Sequence, residues 1–450
     1  MSRMLIKSGT VVTMDPAIPD MKKGDVLIEN GRILDVAPAI EASDAEIVDA
    51  TNAIVLPGFV NAHIHTWQSG LKGVAANWAA HEYLHNMHAR IAPAFTPGDI
   101  FTANLVGALT QLNSGVTTMV DWCHNNPTPA HSDAAIEGLA ESGIRAVFMH
   151  GSPKPDPKPG QKHFSEIPHP RSEIERLLRG RFASRDGLLS LGMAILGPHY
   201  ATYEVAAADF GLAREMDLLC SMHVGGGKPK TPGGFKHLAA DGLIGGRINI
   251  VHGNNLGMDV LRVLVDDGAT VTVTPECELQ MGFGHPVTGK LRALASLPSI
   301  GSDVESGMGS DMFTNMRMAL QYQRALDNQP IVDRTGAAPE HVSIPAREAL
   351  EWATINGAKM AGLDSVTGSL TPGKQADIVL LRADDLNLTP VNDPVHSIVF
   401  HAATSNVDAV FVAGRAMKRA GKLLYPELAR RKAELTASGH RILAQAGLMH

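Results

Sequence analysis

Leu56-Pro57-Gly58-Phe59-Val60-Asn61-Ala62-His63-Ile64-His65 is the stretch on which the reading of this chain turns. An apolar strand sends alternate residues to one face, so His63 and His65 leave it in the same direction. Two imidazoles aimed at one point make half of a metal site. Lone His-x-His pairs also arise by chance, so the weight falls on what accompanies this one downstream.

Seven more apolar, β-branched runs follow Gly58–His65, spaced by helical stretches. They are Val116–His124, Ile144–Gly151, Leu188–Leu196, Leu218–Val224, Ile248–Gly253, Ala269–Pro275 and Leu297–Val304. Near-continuous apolar strands alternating with helices imply a parallel sheet buried on both faces. Eight such units predict an α/β fold, a (β/α)8 TIM barrel spanning residues 57–365. The alternative, an open doubly wound sheet, is weakened because no Gly-x-Gly-x-x-Gly turn follows the first strand.

Both ends of the chain have another rhythm. Met4–Met14, Asp25–Val36 and Glu46–Leu56 read as strands, the second interrupted by the hairpin signal Asn30-Gly31. Ala376–Leu381, His396–His401 and Asp408–Val412 read the same way. Residues 1–56 and 366–425 therefore predict a small β-sandwich domain built from both chain ends, and 426–450 a C-terminal helical tail. The Pro-rich insertion 153–172 follows the third strand and predicts a lid over the barrel rim.

Composition narrows the function classes. A net charge of −7 with Lys and Arg scattered argues against a nucleic-acid partner. No apolar run approaches membrane-spanning length, and the start turns polar too early for a signal peptide, so no membrane partner is expected. Cys123, Cys220 and Cys277 are too few for a disulfide framework, which predicts a reducing, cytoplasmic setting. A small-molecule substrate is the expected partner.

Catalytic groups in such barrels sit at the C-terminal ends of strands. Those ends read His63 and His65, His124, His150, His199, His223, His252, Glu276 and Glu278, and Asp303. Core strands rarely finish so consistently in ionisable residues unless they line a site.

In these positions the chain resembles the amidohydrolase superfamily, in the branch of cytosine deaminase-like, methylthioadenosine/adenosylhomocysteine deaminase-like and triazine hydrolase-like enzymes. The resemblance runs through Leu56–His65, Leu71-Lys-Gly73, Leu112–Thr118, Pro198-His199, Ile250-Val-His252, Gly301-Ser-Asp303, Ala353–Ala358, Gly368–Val379 and Val410–Arg415. It implies that His63, His65, His223 and Asp303 ligate one divalent metal, with His252 hydrogen-bonding the attacking water or the substrate. No lysine ends the fourth strand, where two-metal members carry their bridging ligand, so one ion is expected. Imidazole and carboxylate donors suit zinc, with iron or manganese as alternatives. The chemistry implied is a hydrolase in which Asp303 accepts a proton from water and His252 stabilises charge at the attacked carbon. Members of this family are often dimers or larger, and no residue pattern here decides for or against a homo-oligomer.

The pattern departs from the family on the fifth strand. Deaminases of this branch carry His-x-x-Glu there, the glutamate shuttling a proton, whereas this chain reads His223-Val224-Gly225-Gly226-Gly227. General acid–base catalysis contributes roughly 10²–10⁴-fold, so the missing acid matters. Either Glu276 or Glu278 takes over the shuttle, or the substrate needs no ring protonation; a solvated role for both is the plain alternative. The glycine run also predicts room for substrate bulk. Trp67, Gln68, His85 and His199 are candidate substrate contacts, with core packing as the alternative for tryptophan. The leading function is mononuclear metal-dependent displacement of an amino or similar group from a small N-heterocyclic or aromatic substrate. The alternatives are hydrolysis of an amide-like C–N bond, as in a cyclic amide or substituted urea, and a catalytically silent binding protein.

Overall fold

Eight parallel strands stand in chain order in one sheet: Phe59–Ile64, Val116–Cys123, Arg145–Gly151, Leu189–Ile195, Leu219–Val224, Ile248–His252, Thr270–Val273 and Ser299–Ile300. This computed structural model describes residues 3–155, 157–245 and 247–448; Asp156 of the Pro-rich segment and the last two residues of the tail lie outside it. All eight strands read from the sequence are present. The last is the shortest, because residues 301–303 leave the ladder to close the ring.

The closure falls at the candidate ligands. The backbone N–H groups of Ser302 and Asp303 both donate to the His63 carbonyl at 3.0 Å, and that of His65 donates to the Asp303 carbonyl at 2.8 Å. Gly301 makes this possible, since a Cβ there would lie 2.6 Å from the His63 carbonyl oxygen. The first and eighth strands are thus held together by the residues expected to share an ion. The barrel is the α/β fold that eight apolar runs predict, and it places their C-terminal ends around one mouth.

Strands from both chain ends form a second sheet of nine. Ala53–Pro57 pairs antiparallel with Ile378–Arg382, joining the N-terminal strands to the C-terminal ones. The Asn30-Gly31 hairpin forms as its sequence predicts, with positive φ at both residues (49° and 79°) between Met21–Glu29 and Arg32–Ala37. The nine strands are one continuous hydrogen-bonded sheet rather than two separate ones. A single cluster including Ile6, Val26, Ile28, Ile378, Leu380 and Phe411 draws on both arms of it.

One expected strand is helical. His396–His401 lies in the turns Pro394–His396 and Ser397–His401, with the Asp393 carboxylate accepting from the His396 N–H at 2.8 Å. The Asp-Pro start supplies an N-cap and a pre-set first residue, and that local signal outweighs the β-branched run behind it. Leu428–Gln445 is helical and packs against the helix Pro97–Asn113, with the Ser438 hydroxyl donating to Asp99 at 2.6 Å.

Candidate active site

Four side chains from the first and fifth barrel strands and the loop after the eighth meet at the mouth. One ligand atom from each of His63, His65, His223 and Asp303 lies within 4.8 Å of the others. Asp303 Oδ1 is 3.3 Å from Nε2 of both His63 and His65, and His63 Nε2 faces His223 Nε2 at 3.1 Å. Burial pushes the His63 imidazole down to about 3 and that of His223 well below its usual range. Burial alone would raise the Asp303 carboxyl, but the His63 and His65 imidazoles beside it hold it well below the ordinary carboxylate range. Three imidazoles and an ionised carboxylate converging this closely are a donor set that fits a divalent cation.

What lies behind the ligands fixes their orientation. His65 Nδ1 stands 2.6 Å from the Trp122 carbonyl, so it donates there and leaves the Nε2 lone pair to face the centre. The Trp122 ring stacks on His223 with centroids 3.5 Å apart. His252 Nδ1 is held by the Thr274 hydroxyl at 3.0 Å and by Glu278 at 3.4 Å, turning Nε2 towards Asp303 Oδ2, 3.8 Å away. His252 and Asp303 adopt φ of 70° and 62°. Left-handed backbone at non-glycine residues costs of order 1–3 kcal/mol and gathers at functional sites.

The two glutamates have separate fates. Glu278 is fully buried, accepting from the Thr274 N–H at 2.8 Å and the Asn254 amide at 3.1 Å, and it touches His252 from behind. Glu276 turns to the helix Met312–Thr335, where Asn315 donates to it at 3.0 Å. Burial and the nearby Asp311 raise the Glu276 carboxyl to about 7, yet it does not border the pocket, and neither does Glu278.

A pocket opens to solvent beside the ligands. Its walls include Tyr83, His88, His124, Lys154, Tyr200 and Phe283. None of the four expected substrate contacts is among its lining residues. Trp67 is buried and donates to His124 Nδ1 at 3.0 Å, so it positions a pocket residue from behind. Gln68 does the same for Tyr83, donating to its hydroxyl at 2.6 Å. His85 is exposed, because the helical turn there presents His88 inward instead. His199 lies beneath the glycine run, its Nε2 3.4 Å from the Gly226 carbonyl.

Gly226 does border the pocket, and Phe283 and Tyr200 bound the room predicted beside the glycine run. A Cβ at 226 would meet Phe283 Cδ1 at 3.6 Å, and one at 225 would meet the Tyr200 hydroxyl at 3.0 Å. Phe283 also packs edge-on against His252, centroids 4.8 Å apart. Phe283, Tyr200 and Lys154 come from loops and short turns, where no strand period marks an inward position. His88 carried a faint signal, lying three residues beyond His85 in the same helical stretch.

The sequence pattern of the amidohydrolase family matches residues 54–417. The chain is 27% identical over 430 residues to a 5'-deoxyadenosine deaminase of Methanothermobacter thermautotrophicus, covering 92% of this chain and 94% of that one. It is 26% identical over 439 residues to a 5-methylthioadenosine/S-adenosylhomocysteine deaminase of Caldicellulosiruptor saccharolyticus, with 94% of each covered. Among solved structures, a zinc-bound adenosine deaminase of Xanthomonas campestris superposes with a TM-score of 0.82 at 22% identity, covering 98% and 99%. A zinc complex of atrazine chlorohydrolase from Arthrobacter aurescens gives 0.82 at 21% identity, covering 97% and 100%. At those identities the two structures speak for the fold.

Proposed function

The chain belongs to the amidohydrolase family, and from that premise we propose that it is a metal-dependent hydrolase releasing an amino or similar group from a small N-heterocyclic or aromatic substrate. The observation that carries the reading is the convergence of His63, His65, His223 and Asp303 within 4.8 Å. One divalent ion per chain, zinc, is the proposed cofactor, since three nitrogen donors and one oxygen donor suit it. Bound there, such a cation lowers the pKa of water towards neutrality and polarises the substrate. Among helices of the described residues, none is long and apolar enough to cross a membrane. Cytoplasmic residence is part of the proposal, supported by three free cysteines.

The chain's own residues divide the remaining work. The Asp303 carboxylate, ionised and at the centre of the cluster, accepts the proton of the attacking water and returns it to the departing nitrogen, so that hydroxyl replaces the amino group and ammonia or amine leaves. His252, braced by Thr274 and Glu278, donates from Nε2 to the atom that gains charge as the sp² carbon is attacked, a ring nitrogen in a heterocycle or the oxygen of an amide. Tyr83 and Phe283 provide flat apolar walls for a ring and shield the centre from bulk water.

A second reading is hydrolysis of a cyclic amide or substituted urea. It is favoured by one observation: Gly226 stands where an acid is expected, and neither Glu276 nor Glu278 borders the pocket in its stead. The metal-loaded protein should be assayed for ammonia or amine release against aminated heterocycles, cyclic amides and ureas. Turnover confined to amides and ureas would select the second reading, and no release from any of them would remove both.

A further inference from the structure

Lys154 is the charged side chain lining the pocket that the mechanism above leaves unused. It reaches in from the Pro-rich segment after the third barrel strand, with Nζ 5.1 Å from the Tyr200 ring centroid. The residue is half-buried, and desolvation lowers its ammonium to about 8, so it remains charged at neutral pH. Among the described residues no carboxylate pairs with it and no acceptor takes a hydrogen bond from it. The Tyr200 face offsets part of the cost of burying this side chain, and an anion beside it would offset more.

Tyr200 also connects Lys154 to the altered strand, because its hydroxyl lies against Gly225. The acid expected at 226 would have placed a negative charge on this wall, and Gly226 removes it. The result is a cation and an open apolar surface facing the metal-ligating cluster, with the balancing charge left to the occupant.

We infer that the substrate carries an anionic group, a carboxylate or comparable oxyanion, which pairs with Lys154 while the reacting carbon lies at the His63–His65–His223–Asp303 cluster. The inference rests on the hydrolase reading for where chemistry happens, but charge selection can be measured without turnover. The substrate class is then an acidic aromatic or heterocyclic compound rather than a neutral one.

Benzoate and its neutral counterpart benzamide serve as probes, titrated calorimetrically into the metal-loaded full chain and its variants. Wild type should bind benzoate at least tenfold more tightly than benzamide. In Lys154→Met the ratio should fall to within twofold, and Lys154→Arg should restore most of it. Unchanged metal content and thermal midpoint would show that the methionine variant is folded. Equal affinities in wild type, undetectable benzoate binding, or a ratio that survives Lys154→Met would overturn the assignment. Asp156→Asn should leave the ratio unchanged; a tenfold rise would mean that Lys154 is already committed to that carboxylate, and would equally overturn it. Failure of amine release with the benzoate preference intact would sink the hydrolase reading alone.

Discussion

The first and third barrel strands both end in histidine, yet they end in different places chemically. His63 and His65 face the ligand cluster and take part in the backbone bonds that close the barrel. His150, at the end of the third strand, turns outward to His169 at 3.0 Å and borders a separate surface cavity with the Pro-rich segment. The difference teaches that a strand end is a necessary address for a catalytic group but not a sufficient one. Position along the strand puts a residue at the mouth; what its neighbours hydrogen-bond decides whether it points in.

Substitutions can break that distinction, beginning where the effect is largest. Asp303→Asn should lower kcat by about 10³-fold, as a proton acceptor and a ligand are lost together. Steady-state amine release with metal content measured in parallel checks this, and a fall below tenfold with full metal occupancy would remove Asp303 from the chemistry. Glu278→Gln should lower kcat by about tenfold or more through a loosened His252, in the range seen when a partner behind a catalytic group is removed. Glu276→Gln, two residues away in its own environment, should stay within about twofold. The reverse order would restore Glu276 as the relocated proton shuttle.

Gly226→Glu tests the opposite wall. Its Cβ meets Phe283 Cδ1 at 3.6 Å, so the carboxylate arm beyond competes with that ring for space; overpacking costs about 1–3 kcal/mol, and kcat/KM should drop by about tenfold. Gly226→Glu/Phe283→Ala should recover most of that loss; if the double variant is no better than the single one, the space beside the glycine is not what Phe283 controls.

The smallest effect lies at the third strand. Burial holds the His150 imidazole down to about 4 against an ordinary value of 6.5. Between those values the unfolded chain binds a proton that the folded chain refuses, so stability is lost as pH falls from 6.5 towards 4. His150→Leu should reduce the stability lost between pH 7 and 5 by about 2 kcal/mol, read by urea denaturation at both pH values. An identical pH dependence in wild type and variant would show that His150 is not buried as a neutral ring.

Much of this molecule was legible in its sequence because the barrel writes itself as a period. Apolar runs marked every barrel strand, and the residue closing each run marked the mouth. His63, His65, His223 and Asp303 came from that logic joined to a family resemblance, and they meet in space. The pocket walls were not legible. Trp67 and Gln68 follow the first strand closely enough to suggest contact, but their polar atoms are spent on His124 and Tyr83. Lys154 sits in a Pro-rich loop whose direction no local pattern predicts, and Phe283 follows a short helix whose C-cap glycine, Gly282 at φ 77°, turns the chain. The two glutamates differ for the same reason: Glu278 faces Thr274 and Asn254 beneath His252, while Glu276, two residues earlier, faces another helix.

The most direct test of the central claim is the metal content of the purified chain, measured by mass spectrometry alongside amine release, for wild type and His223→Ala. One divalent ion per wild-type chain, lost with activity in His223→Ala and removed from wild type by chelation with activity restored on adding zinc, is the predicted result. A wild-type chain that turns over substrate without a stoichiometric ion, or a His223→Ala variant that keeps both ion and activity, would contradict it.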